Sequence, residues 1–384
     1  MHITACYITK NEAQNLARSL DSIRGLYDDL LVVDTGSTDD TVAIAQRAGA
    51  RVLSFAWCDD FSAARNFALD HVRPAGGQAQ EDAHWILFLD ADESFVMPVH
   101  RDRLEDVLRS TDAEGFLVRR IEEEGGGVQS ETWLSLRLFR FAPNLRYVGR
   151  IHEQVVNLAD RQRPLVIARA PREMALYHTG YQANLSEEKA RRNLALLEQE
   201  AREHGGAQPG TECYFAECLY SLGDDAGAIR WAEAAIESPV IQVGAESEPY
   251  HILLESLRRM GGHEAEMVAW ASRAIARFPT MPEFYGERGM TYSAMGRWSE
   301  ARRDLVESLI LFEEDAPQTE TRYFTRRVAG QIAARLGEIH ALTGDRDEAA
   351  TWFHLAERYA PESPRVQQKV QAFFKTQETG ERNG

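Results

Sequence analysis

"LFLDADESF", residues 87–95, sets the reading of the first half of the chain: an apolar run that belongs in a core meets Asp90, Asp92 and Glu93 at once. Charge so close to a core has two explanations. Either the carboxylates hold a metal ion and a phosphate-bearing substrate, or they start a helix at the surface. The surroundings favour the first. "HWILFLD" reads as a strand, and "ITACYIT", "DLLVVDT" and "RVLSF" read as three more, separated by helical stretches over Glu12–Ile23, Asp39–Ala48 and Ser62–His71. Strand and helix in alternation predict an α/β sheet, parallel at least in its first half, with "EGFLVRRI" and "WLSLRLFR" as later strands. Ligands of such sheets sit beyond the carboxyl ends of the strands, where the three acids stand.

From "SEEKARRNLALLEQEAREHG" onward the period is helical throughout, with breaks at Gly223, Gly261-Gly262, Gly296 and Gly344. Gly262 and Gly296 are 34 residues apart, the tetratricopeptide period. Four units read as helix pairs with Gly-Asp or Gly-Arg turns, and most end at Pro. The expected organisation is an α/β domain over residues 1–185 and an all-α repeat domain over 186–384. Such stacks present a concave surface to a peptide or protein or form a homodimer interface. A helical bundle that only supports the first domain is the plainer alternative.

Composition bounds the function. At 384 residues, 44% hydrophobic and 27% charged, the chain suits two soluble globular domains. It has no apolar run long enough to span a bilayer, and its start lacks the pattern of a signal peptide, so the expected location is cytoplasmic. A formal net charge of -17 without a basic block argues against nucleic acid as a partner. Cys6, Cys58, Cys213 and Cys218 form no CxxC pair and read as buried free thiols.

Further motifs converge on the same sheet edge. "VVDTGSTDDT", residues 32–41, leaves a strand through Asp34 and enters a helix. Asp34 can accept a hydrogen bond from a base N–H, and the same residues make good capping chemistry. "ITKNE" places Glu12 at that edge, and "FSAARN" adds Asn66 and Arg65, a cation able to face a diphosphate. Trp133, Arg137 and Arg140 in "ETWLSLRLFR" are second-rank candidates for an acceptor cleft or phosphate, since the same alternation describes a half-buried strand.

In order and spacing, "ITACYITKNEAQNLARSLDSI", "LLVVDTGSTDDT", "WCDDFSAARNFAL" and "WILFLDADESF" resemble the inverting family-two glycosyltransferases of GT-A fold. More narrowly, the chain resembles the bacterial branch in which tetratricopeptide repeats follow that domain, which includes the peptide S-glycosyltransferases of glycocin biosynthesis. The resemblance implies a nucleotide-diphosphate sugar donor, commonly UDP-linked, with Mn²⁺ or Mg²⁺. By position, the backbone from Tyr7 to Thr9, with Glu12 and Asp34, would hold base and ribose. Asp90 would face the ribose or metal, and Asp92 would ligate the metal. "YVGRIHEQV" resembles the segment supplying the general base, which points to Glu153 with His152 beside it. "LYHTGY" resembles the position of a metal-ligating His, which points to His178. The expected partners are a nucleotide sugar and an acceptor, with a peptide or protein suggested by the repeats. A rival reading is a non-catalytic sugar-nucleotide platform whose repeats assemble partners. A nucleotidyltransferase is disfavoured because "ITKNEAQN" lacks a Gly-rich, basic first loop.

Overall fold

A computed structural model of the chain describes every residue except 74–82, 97–98, 125–127, 152, 161–162, 164, 179–185, 241–245, 315–325 and 382–384. The described chain forms two compact units that meet in sequence at Leu222 and Gly223.

The first unit opens as the alternation predicts: β1 (His2–Thr9), α1 (Ala13–Ser22), β2 (Asp29–Asp34), α2 (Thr41–Arg47), β3 (Arg51–Ser54), α3 (Phe61–Asp70) and β4 (His84–Asp90). β1 lies between β2 and β4, with all three parallel, and β3 flanks β2 in the same sense. Period-two alternation sorts the side chains. Ile3, Ala5, Tyr7, Trp85, Leu87 and Leu89 share one buried cluster with Leu16 and Leu20 of α1. Cys6, Leu31, Val33, Ile86 and Phe88 share another with Ala68 and Leu69 of α3. The strands are therefore covered on both faces, as parallel strands require.

After β4 the direction changes. β5 (Glu93–Phe95), α4 (Arg101–Arg109), β6 (Gly115–Glu124), β7 (Val128–Arg140), β10 (Ile167–Arg169) and β11 (Leu176–His178) extend the sheet, while β8 (Leu145–Val148) and β9 (Gln154–Asn157) make a separate antiparallel hairpin. The main path runs β3-β2-β1-β4-β7-β6-β11-β5, with β10 pairing β6. β7 is antiparallel to both β4 and β6. β4 and β5 are thus four strand positions apart in the sheet yet separated only by Ala91 and Asp92 in sequence. Four flat spacings would cover about 19 Å, whereas the three peptide steps from Asp90 to Glu93 reach at most about 11 Å. The sheet must curl into a trough, and the curl brings Glu93 under Asp90.

α5 (Ser186–His204) and α6 (Glu212–Ser221) also belong to the first unit. The second unit holds α7 (Asp225–Glu237), α8 (Glu248–Met260), α9 (Glu264–Arg277), α10 (Pro282–Ala294), α11 (Trp298–Glu314), α12 (Arg326–Leu342), α13 (Arg346–Tyr359) and α14 (Pro364–Glu381). The turns fall at the expected glycines. Gly223, Gly261, Gly262, Gly296 and Gly344 all have positive φ, where a Cβ would be strained. Asp224 and Asp345 then cap the following helices by accepting from the Gly227 and Glu348 N–H groups. Within pairs the helices touch closely: a Cβ on Gly289 would lie 2.8 Å from the Leu305 side chain, and one on Gly337 would lie 2.9 Å from the Phe353 ring. Three cysteines are buried as expected, and Cys58 is exposed. Among the described residues no helix is long and apolar enough to cross a membrane.

Candidate active site

The register of the parallel strands sets three predicted residues side by side at their carboxyl ends: Thr9 opposite Asp34, and Ile8 opposite Asp90. Asp34 is buried and shapes its own loop, accepting the Gly36 N–H at 3.1 Å and the Ser37 N–H at 3.1 Å. A carboxylate retains further acceptor capacity after two such bonds. Gly36, at φ +105°, makes that tight turn accessible. Thr35 donates from both its N–H and its hydroxyl to the Thr9 carbonyl, and the Thr9 hydroxyl is buried without a partner among the described residues. Tyr7 stands apart from the edge. Its ring is wholly buried beneath α1 and its hydroxyl meets Ser19 at 3.0 Å, so its side chain is a core group.

Glu12 lies beside this edge, accepting from the Asn15 amide at 2.9 Å. Burial pushes its carboxyl above the ordinary range against the effect of Asn15, and the negative charges of Asp92, Asp39 and Asp90 push it the same way. Negative charge gathered around Glu12 in this way favours a cation close by.

Below the edge is a buried charge network. The Asp90 carboxylate accepts from Arg65 Nη2 at 2.7 Å and from Arg137 Nη2 at 2.5 Å. Arg137 also donates to Glu93 at 2.7 Å, and Glu93, wholly buried, accepts the Asp90 backbone N–H at 3.2 Å. Arg120 approaches Glu93 at 3.7 Å. Burial works against charge on Asp90, but Arg137 and Arg65 outweigh it and hold the carboxyl well below the usual range. Arg137, a second-rank candidate in the sequence, is therefore a member of this network. Glu93, grouped in the sequence with Asp90 and Asp92, is buried among arginines, and Arg120 was not expected here, although a charged residue within an otherwise apolar strand is the sequence signal that could have found it.

Arg65 also reverses its expected orientation. It is 4% exposed, its Nε donates to Glu153, and its guanidinium lies 4.7 Å from the Phe88 ring centroid and 5.4 Å from that of Tyr147. It turns toward carboxylates and aromatic rings in place of the diphosphate anticipated from "FSAARN". The rest of that motif grips the segment ahead of Glu153. Ser62 donates to the Gly149 carbonyl at 2.6 Å, and Asn66 bonds both the Tyr147 carbonyl and its N–H, at 2.8 and 2.9 Å. Ser62, Arg65 and Asn66 share one face of α3 by helical spacing. From the other side, Arg150 pairs with Glu203 of α5 at 2.6 Å, and Gln154 donates to the Tyr214 hydroxyl of α6 at 3.3 Å.

Asp92 and His178 come together, with Oδ2 and Nε2 3.1 Å apart. The pairing of β11 with β5, His178 opposite Glu93, accounts for the approach. Among the described residues no three metal-ligating side chains form a closed cage. One carboxylate and one imidazole nonetheless fit a divalent cation that completes its shell with phosphate oxygens and water. Arg140 is elsewhere: it stands opposite Trp85 in the register, about 16 Å from Asp90 at the usual strand rise, and donates to the Ala113 carbonyl. It is thus removed from the carboxyl edge by the length of β4. Trp133 has a described backbone only, opposite Arg120 in β6. His152 lies outside the described residues.

Residues 4–161 match the family model described as glycosyl transferase family 2. A TPR repeat-containing protein of Synechococcus elongatus is 33% identical over 271 residues, which is 68% of this chain and 63% of that protein. The SPbeta prophage-derived glycosyltransferase SunS of Bacillus subtilis is 27% identical over 243 residues, 62% of this chain and 53% of that protein. A Rickettsia felis protein named as an uncharacterized glycosyltransferase is 35% identical over 120 residues, 31% of this chain and 38% of its own. The chain thus spans 63% and 53% of the length of the first two relatives. With the curled sheet and its carboxylate edge, the match gives the assignment: the chain carries a glycosyl transferase family 2 domain, followed in sequence by tetratricopeptide-like helix pairs.

Proposed function

We propose that the chain is a divalent-metal-dependent, inverting glycosyltransferase that moves a sugar from a UDP-linked donor to a peptide or protein acceptor recognised through the repeats. The observation that carries this reading is that the sheet edge holds two separate chemistries: the Asp92–His178 pair at 3.1 Å, and a Glu153 carboxylate bonded to Arg65. A bound Mn²⁺ or Mg²⁺ would offset the charge that develops on the departing diphosphate. Asp92 and His178 would hold it, with Glu12 and Asp90 adding negative charge nearby. Asp34 and the end of β1 would receive the nucleoside. Glu153 would take the proton from the acceptor as its oxygen or sulfur attacks the anomeric carbon. The bond to the diphosphate breaks on the opposite face, which inverts the configuration.

Two measurements test the proposal. A thermal-shift screen of nucleotide sugars with and without Mn²⁺ should give stabilisation only when both are present. Glu153→Gln should bind donor nearly as wild type while turnover falls about 10²- to 10⁴-fold. Retained anomeric configuration, or near-normal turnover of that variant on a hydroxyl acceptor, rejects the mechanism.

A further inference from the structure

We propose that Arg65 is a positioning residue that couples the donor side of the site to its acceptor side, fixing the Glu153 carboxylate relative to Asp90. The functional half of this inference rests on the glycosyltransferase reading, and the structural half on geometry alone. A phosphate-binding arginine offers its N–H groups at the edge where the anion arrives. Arg65 does not. Its Nε is taken by Glu153, its Nη2 is taken by Asp90 at 2.7 Å, and its Nη1 is buried. The two carboxylates come from distant parts of the sequence, one at the end of β4 and one ahead of β9, and a single planar fork spans both. The fork is itself fixed: Phe88 and Tyr147 lie against the guanidinium, while Ser62 and Asn66 bind α3 to the segment leading to Glu153. Arg137 balances the second oxygen of Asp90 at 2.5 Å, so Arg65 is not needed merely to neutralise that group.

A base held this way has one separation from the donor-side carboxylate, set by the width of a guanidinium. Lysine carries the same charge but is a point donor on a flexible stem and cannot reproduce the fork. Loss of the fork should therefore damage the placement of Glu153 while leaving the groups that hold the donor.

The test uses the full chain with Mn²⁺, UDP as the binding probe and hydrolysis of UDP-glucose, UDP-galactose and UDP-N-acetylglucosamine as turnover probes. In Arg65→Met, kcat should fall about 100-fold while KM and the Kd for UDP stay within about threefold. Arg65→Lys should recover about tenfold of that loss. Adding Glu153→Gln to Arg65→Met should cost little more, because the base is already misplaced. An unchanged kcat with a raised KM and weakened UDP binding would overturn the proposal and make Arg65 a donor-binding cation. If the wild type turns over none of the three sugars, melting temperatures decide the coupling. Glu153→Gln should shift the melting temperature less in the Arg65→Met background than in the wild type, and equal shifts would overturn the link. Should Arg65→Met fail to fold, the same comparison is made on Arg65→Lys.

Discussion

Replacing Arg137 by Met removes the cation that serves two buried carboxylates, and the structure sets the size of the effect. Arg137 donates to Asp90 at 2.5 Å and to Glu93 at 2.7 Å, and Glu93 is wholly buried. Breaking a buried ion pair from one side costs about 3–5 kcal/mol, because the remaining charge loses its partner without regaining water. The lower end applies here, since Asp90 keeps Arg65 at 2.7 Å and Glu93 keeps Arg120 at 3.7 Å. Methionine replaces much of the aliphatic stem, so the cavity contribution is small. The expected loss is about 3 kcal/mol for Arg137→Met. The double variant Arg137→Met/Glu93→Met removes both charges and should cost about 2 kcal/mol less than the sum of the single changes. With two compact units, global unfolding need not be two-state. Amide hydrogen exchange of β4 and β7 peptides reads the opening of the sheet directly. A loss below about 1 kcal/mol for Arg137→Met, or strictly additive costs in the cycle, would refute the account of this network.

Asp92→Ala should abolish Mn²⁺-dependent binding of UDP in titration calorimetry while leaving the circular dichroism spectrum unchanged, and undiminished binding sinks the metal assignment. Gly337→Ala should destabilise the repeats by up to about 2 kcal/mol in urea unfolding followed by circular dichroism, the balance of an overpacking cost of about 1–3 kcal/mol against a helix-propensity gain of about 1 kcal/mol. A stabilised variant means that the Phe353 ring yields freely. Burial, with His2 beside it, lowers the His84 imidazole to about 4. The unfolded chain then binds that proton at higher pH, so stability from this residue is present above about pH 6.5 and is lost as pH falls towards about 4. His84→Gln should flatten that part of the stability–pH curve, and an unchanged slope rejects the assignment. A chain ended at residue 205 lacks Tyr214 and its bond to Gln154, so it should melt at a lower temperature than one ended at Leu222; equal melting denies α6 that supporting role.

The parallel half of the sheet was legible because its information is local. β1, β2, β3 and β4 each carry a compact apolar run, and the intervening helices differ from the expected ranges only at their ends. The repeat turns were equally legible, since positive φ makes glycine a punctuation mark that no partner need explain. β5, β8, β9, β10 and β11 are three or four residues long, too short for periodicity to separate them from loop. The site divided along the same line. Asp90, Asp92 and Asp34 sit at strand ends and could be found from them. The destination of Arg65 could not, because its partner Glu153 is 88 residues away and only the folded hairpin brings it near. Glu93 was visible as a charge, but its burial follows from a curl that depends on β11 and β6.

The short link between β4 and β5 has a mechanical consequence. It joins two strands four positions apart in the sheet through a turn at Ala91 and Asp92. At this end the trough therefore behaves as a hinge pinned shut: the rims cannot spread by more than the slack in three peptide units, and one inserted residue would slacken the pin.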